Sequence, residues 1–240
     1  MNFLKQLKKP VIIAEIGLSH DGSVGNCIKL IEQCKKNGAD IIKFQIHFAE
    51  EESTLDEKFR IKFSYEDKTR YGYWKRTAFT ENQWVKIFNY CKKKKIKFFA
   101  SVFSLKAFNL VYSYGVRCFK LSSGEVFNSE ILNQILKKKC ELIISNGLSE
   151  EYFFNRLLTK IKKKSKFALL ECTTKYPSPP ENINISNTVT LGKKYGCLSG
   201  LSDHSGEIYP SISALTLGAS IIEVHVCLIK ICLDQIFLHH

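Results

Sequence analysis

Two histidines late in the chain carry the clearest chemical signal. His204 lies in Leu201-Ser202-Asp203-His204-Ser205-Gly206, and His225 in Ile221-Ile222-Glu223-Val224-His225-Val226. Each sits at or just past an apolar run of strand length, the position where parallel β/α proteins mount metals and catalytic groups. Two imidazoles without nearby cysteines suit a divalent ion with open coordination positions, manganese or a neighbouring first-row ion. Such an ion polarises a carbonyl as a Lewis acid. Taken singly, each histidine reads as a hydrogen-bonded structural residue. Taken with the other strand ends, the pair reads as a metal site.

Those other apolar runs also end in reactive groups. The first leads to Glu15 and Ser19-His20-Asp21-Gly22, the second to Lys43, Gln45 and His47, and the third to Ser101 and Ser104. The fourth leads to Lys120, Ser122, Ser123 and Glu125, the fifth to Ser145 and Asn146, and the sixth to Thr173, Thr174 and Tyr176. The seventh offers Ser202, Asp203 and His204, and the eighth Glu223 and His225. Strand alternation puts Lys43 and Gln45 on one face. Charges inside a barrel mouth are costly to desolvate unless paired or functional. Two lysines among hydroxyls and backbone N–H groups suit a phosphate and a carboxylate.

The elements that must position these groups follow one rhythm. A helical stretch ends, often at a glycine, and a short apolar run follows. Strands are expected at 11–16, 41–45, 97–101, 118–121, 141–145, 167–171, 197–201 and 221–225. Helices are expected over 26–36, after the capping box Thr80-x-x-Gln83, after caps at Ser104, Asn128 and Ser149, and over 209–217. Eight alternating units in 240 residues predict a closed (β/α)8 barrel. The stretch 48–80 breaks the rhythm; it is expected to be a long loop that covers substrate or contacts a subunit.

Composition narrows the function class. Apolar residues make up 45% of the chain, enough for a packed core. The net charge of +13 comes largely from lysines at expected helix ends, such as Lys92 to Lys95 and Lys137 to Lys139, where they favour the helix dipole. No basic and aromatic interleaving of the single-strand-binding kind is present, so no nucleic-acid partner is expected. Glu223, His225, Lys230 and Asp234 interrupt the apolar C-terminal stretch, which argues against a membrane span. Nine scattered cysteines without framework spacing fit reduced thiols in a cytoplasmic protein.

The motifs resemble those of the sialic acid synthase family, the N-acetylneuraminate and legionaminate-type synthases. They are Ile12-Ile13-Ala14-Glu15-Ile16-Gly17 with His20-Asp21-Gly22; Gly38-Ala39-Asp40 with Lys43-Phe44-Gln45; Lys120-Leu121-Ser122-Ser123-Gly124-Glu125; Cys172-Thr173-Thr174-Lys175-Tyr176-Pro177; Ser202-Asp203-His204; and Glu223-Val224-His225. The resemblance implies condensation of phosphoenolpyruvate with an N-acylated mannosamine-type sugar to a nine-carbon sugar acid, with release of phosphate. It implies that His204 and His225 bind a divalent metal, manganese with magnesium or cobalt as alternatives. It makes Glu15, Lys43, Lys120 and Tyr176 the candidate catalytic residues. Gln45, Ser101, Ser123, Glu125, Ser145, Thr174 and Ser202 would bind substrates, the serines on the phosphate. A homodimer is implied as well.

The chain departs from the family at Thr174, where many members have Asn, and at Asn146, where Thr is usual. The resemblance fades after about Val226. The expectation is a single barrel domain of 1–240, truncated after strand 8, without the family's C-terminal antifreeze-like domain. A short substitute helix over 228–237 is expected, with Asp234 as a counterpart of the family's loop aspartate. Two alternatives follow: a catalytically impaired barrel that binds ligands or is a remnant, and another phosphoenolpyruvate-dependent sugar acid synthase or aldolase.

Overall fold

Short apolar runs that bury both faces need cover on each, which helices outside and a closed, packed ring inside can supply. The computed structural model, which describes residues 3–59, 64–147 and 150–228, has this arrangement. Eight parallel strands form it: β1 (Val11–Gly17), β2 (Ile41–Ile46), β3 (Phe98–Val102), β4 (Cys118–Leu121), β5 (Glu141–Ser145), β6 (Phe167–Cys172), β7 (Leu198–Asp203) and β8 (Ile221–His225). They follow chain order around a closed barrel. β8 closes the ring on β1, in register from Val11 opposite Ile221 to Glu15 opposite His225. The expected (β/α)8 barrel is therefore the observed fold, and the expected strand bounds hold to within two residues.

The outer layer comprises α1 (Val24–Lys36), α2 (Ala49–Glu52), α3 (Arg70–Thr77), α4 (Glu81–Lys93), α5 (Leu105–Ser113), α6 (Ser129–Lys137), α7 (Glu151–Lys162), α8 (Asn187–Tyr195) and α9 (Tyr209–Thr216). The Thr80–Gln83 capping box forms, and Ser104 and Asn128 cap α5 and α6 by accepting N–H groups of Ala107 and Ile131. The expectations at Ser149 and over 229–237, Asp234 included, lie outside the described residues. Among those described, no helix is long and apolar enough to cross a membrane. Cys27, Cys34, Cys91, Cys118, Cys140 and Cys172 are buried unpaired thiols.

Two features differ from the sequence reading. The stretch 48–80 contains α2 and α3 rather than loop alone. The second feature is α8, whose apolar signal is interrupted by Gly192. A Cβ there would meet the Ser199 Oγ at 2.5 Å, so this glycine lets the helix lie close against β7.

The two ends of the barrel are closed differently. At the N-terminal end, Phe3 and Leu4 form a plug. Their N–H groups donate to the buried Glu141 Oε2 at 2.5 and 3.2 Å, and Phe3 packs on Phe99. The C-terminal end stays open.

Candidate active site

The open end holds a cavity of about 470 Å³, a size suited to small-molecule ligands. Its floor is built by strand alternation. Lys43 on β2, Ser101 on β3, Lys120 on β4, Ser145 on β5, Ser202 on β7 and Glu223 on β8 all face inward and are buried.

Glu223 organises the floor. Its Oε1 accepts from Lys120 Nζ at 2.8 Å, Lys43 Nζ at 3.1 Å and Ser202 Oγ at 3.1 Å. Lys43 also lies 2.5 Å from Glu15 Oε2 and donates to Ser101 Oγ at 3.3 Å. Two cations and two carboxylates thus form a balanced buried cage. Burial alone would raise the Glu223 carboxyl, but Lys120 and then Lys43 hold it well below the usual carboxylate range. Burial pulls the Lys43 ammonium down to about 7, against the pull of Glu223 and helped by Lys120. The Ser145 Oγ is buried without a hydrogen-bond partner, a group left for a ligand to satisfy.

His204 and His225 line the same cavity, their rings 5.5 Å apart between centroids. His204 Nδ1 lies 2.8 Å from the Thr173 carbonyl. A carbonyl only accepts, so Nδ1 carries the proton and Nε2 presents its lone pair. That lone pair accepts the Tyr176 hydroxyl at 2.9 Å, and the Tyr176 ring stacks on the imidazole at 4.0 Å. A backbone carbonyl that fixes the tautomer is the usual support of a metal-binding imidazole. Among the described residues, no group of three or more His, Cys, Asp or Glu side chains could hold a metal. The donor set fits an ion with two protein ligands and open positions, not a closed structural site. Gly17 borders this region in a left-handed conformation, φ +51°, where a side chain would be strained. A Cβ there would sit 3.5 Å from Glu15 Oε1 and 3.8 Å from both Gln45 Oε1 and His225 Nδ1.

The far wall is aromatic and polar. His47 is sandwiched between Trp74 at 4.8 Å and Phe103 at 4.1 Å, and its Nδ1 pairs with Glu52 Oε2 at 2.6 Å. Gln45 touches His47 Nε2 at 3.5 Å. Glu125 accepts from Asn128 Nδ2 at 3.0 Å, and burial raises its carboxyl. Arg70 lies 4.3 Å over the Trp74 ring and pairs with Glu57, while its buried Nε has no hydrogen-bond partner.

Of the residues singled out from sequence, Lys43, Gln45, Lys120, Ser123, Glu125, Ser145, Thr174, Tyr176, Ser202, His204 and His225 line this one cavity. Glu15 and Ser101 sit beneath it, bonded to Lys43. His20 and Asp203 are among the strand-end residues that turn elsewhere. His20 stacks on Phe79 at 4.2 Å, accepts the Gly22 N–H, and is pulled down to about 3 by burial, with His47 adding. Asp203 binds Ser205 and Ser211 and so holds the turn into α9. Glu223 stands at a strand end in the sequence, where nothing local assigns it a role. Its two-residue spacing from His225 was the available signal. Arg70 and Trp74 were missed because their stretch read as loop; their i, i+4 spacing on α3 was the signal there.

Residues 30–233 match the NeuB family. The chain is 32% identical over 231 residues to the N,N'-diacetyllegionaminic acid synthase of Campylobacter jejuni, covering 93% of this chain and 69% of that protein. It is 33% identical to a pseudaminic acid synthase of the same organism, covering 93% and 66%. It spans about two thirds of the length of these relatives. The fold superimposes on the N-acetylneuraminic acid synthetase of Leptospira borgpetersenii with a TM-score of 0.81 at 27% identity, over 96% of this chain and 80% of that one. With motifs, barrel and sequence likeness in agreement, the chain belongs to the NeuB family of synthase-type barrel enzymes.

Proposed function

We propose that this cavity condenses phosphoenolpyruvate with an N-acylated mannosamine-type sugar, giving a nine-carbon sugar acid and phosphate. One observation carries the reading. Two buried lysines share a single carboxylate on the cavity floor, while two histidines face the same space. The floor suits a multiply charged anion, since an incoming carboxylate or phosphate can take the lysines from Glu223. The hydroxyls of Ser101, Ser123, Ser145 and Ser202 would serve the phosphate, and Ser145 supplies a buried donor with no competing partner.

A divalent ion held by His204 and His225, manganese by resemblance, would supply Lewis-acid polarisation of the sugar aldehyde. Tyr176 fixes the His204 ring by stacking. Gln45, Glu125 and Thr174, with Trp74 and Arg70, form the wall against which the sugar would lie. The methylene carbon of phosphoenolpyruvate would attack the aldehyde carbon, whose oxygen takes up a proton; water would add to the cationic carbon left behind and give up a proton, and the tetrahedral intermediate would break its carbon–oxygen bond to expel phosphate. Glu15, whose carboxylate lies 2.5 Å from Lys43, would position the substrates and help activate that water. The lysines would then stabilise the negative charge that departs with phosphate. Nearly equal identity to a legionaminic and a pseudaminic acid synthase leaves the N-acyl pattern to experiment. The reading places the protein in the cytoplasm.

The test is phosphate release from phosphoenolpyruvate across a panel of N-acylated sugars, with and without manganese. Release should require both sugar and metal. Folded protein that releases none with any sugar would overturn the proposal.

A further inference from the structure

The N-terminal end of the barrel holds a second cavity, of about 390 Å³, beside the Phe3 plug. Its walls are mainly apolar and come from β2, β3 and β4 and the turns that enter them: Ile41, Ile96, Phe98, Phe99, Val116 and Cys118. Four cations stand around it: Lys92 in the last turn of α4, Lys95 and Lys97 in the turn to β3, and Arg117 before β4. Among the described residues none of the four pairs with a carboxylate. Arg117 is instead fixed by donating to the Tyr112 and Val116 carbonyls, both at 2.8 Å, and by lying 3.8 Å over the Tyr112 ring. Lys92 lies 5.1 Å from the Tyr114 ring. Lys95 and Lys97 are exposed.

An apolar hollow rimmed by unmatched cations is complementary to a molecule with an apolar body and one anionic head. We propose that this cavity binds a small amphipathic carboxylate, its medium-length chain or ring against Ile41 and Phe99 and its head on the lysine rim. Ile41, Phe99 and Cys118 lie two residues before Lys43, Ser101 and Lys120 on the same strands. Alternation gives each pair one inward face, so the bound molecule would rest one side-chain layer beneath the lysine cage. The site is distinct from the upper cavity and shares no lining residue with it.

The probe is a straight-chain carboxylate series from hexanoate to decanoate, titrated calorimetrically, with decanol as the uncharged control. Binding should be saturable and strengthen about fourfold per methylene, as burial of each CH₂ requires. Decanol should bind at least about tenfold more weakly, as should decanoate to Lys95→Gln/Lys97→Gln protein whose thermal unfolding is unchanged. These substitutions fall on exposed lysines, so the fold is kept. No saturable binding, or decanoate binding equal in the variant, would overturn the site.

Discussion

Both ends of this barrel are rich in cations, yet they hold them in opposite ways. At the open end Lys43 and Lys120 are buried and bonded to Glu223 and Glu15 at 2.5 to 3.1 Å. At the plugged end Lys95 and Lys97 are exposed and Lys92 rests near a tyrosine ring. A buried lysine depends on its partners, because a lone charge in the interior is strongly disfavoured. An exposed lysine needs none, because water solvates it. The first arrangement fixes charges in position before substrate arrives, which is what electrostatic catalysis requires. The second leaves them available without fixing them.

The largest expected effect tests that contrast directly. Lys120→Met removes one partner of a buried pair and should cost about 3–5 kcal/mol in urea unfolding. Lys95→Gln should change stability by no more than about 0.5 kcal/mol. Similar costs at both ends would erase the distinction. Next, His204→Ala and His225→Ala should each abolish turnover. Calorimetry should show manganese affinity falling by more than the roughly 10–100-fold that losing an outer-shell partner costs. Unchanged metal binding in both would refute the ligand assignment.

A smaller effect is expected at the far wall. Arg70→Ala should raise KM for the sugar about tenfold, the worth of one charged hydrogen bond, with kcat little changed. A matching rise in KM for phosphoenolpyruvate would instead put Arg70 on the anion side. The smallest effect concerns protons. Burial lowers Lys43 to about 7 in the folded protein, whereas an unfolded lysine titrates near about 10.4. The burial penalty on stability is therefore full below about pH 7 and is relieved as pH rises toward 10.4. An anion on the cage favours the charged lysine, so phosphoenolpyruvate binding at pH 8 should take up a fraction of a proton. Titrations in two buffers of different ionisation enthalpy measure that uptake; zero uptake would detach Lys43 from the anion.

Most of the ring was legible in the sequence because apolar runs, glycine stops and caps such as Thr80–Gln83 are local signals. The strand-end residues were legible for the same reason: alternation fixes which face a side chain takes. What alternation cannot fix is the partner. Glu223 meets Lys43 across the barrel, a contact 180 residues apart in sequence. His20 and Asp203 have the right types and positions for chemistry, yet packing turns one onto Phe79 and the other into the turn before α9. The helix α3 was hidden because its Arg70–Thr77 sequence is charged and aromatic rather than clearly amphipathic, and its stability comes from seating Tyr73 and Trp74 against the open rim.

The central claim is that one cavity joins two substrates and expels phosphate by breaking a carbon–oxygen bond. The most direct measurement is turnover in ¹⁸O-labelled water, with both products analysed by mass. The account predicts unlabelled phosphate, formed in step with a sugar acid that takes its new oxygen from water. Label in the phosphate, or phosphate formed without loss of the sugar, would mean simple phosphate-ester hydrolysis and would contradict it.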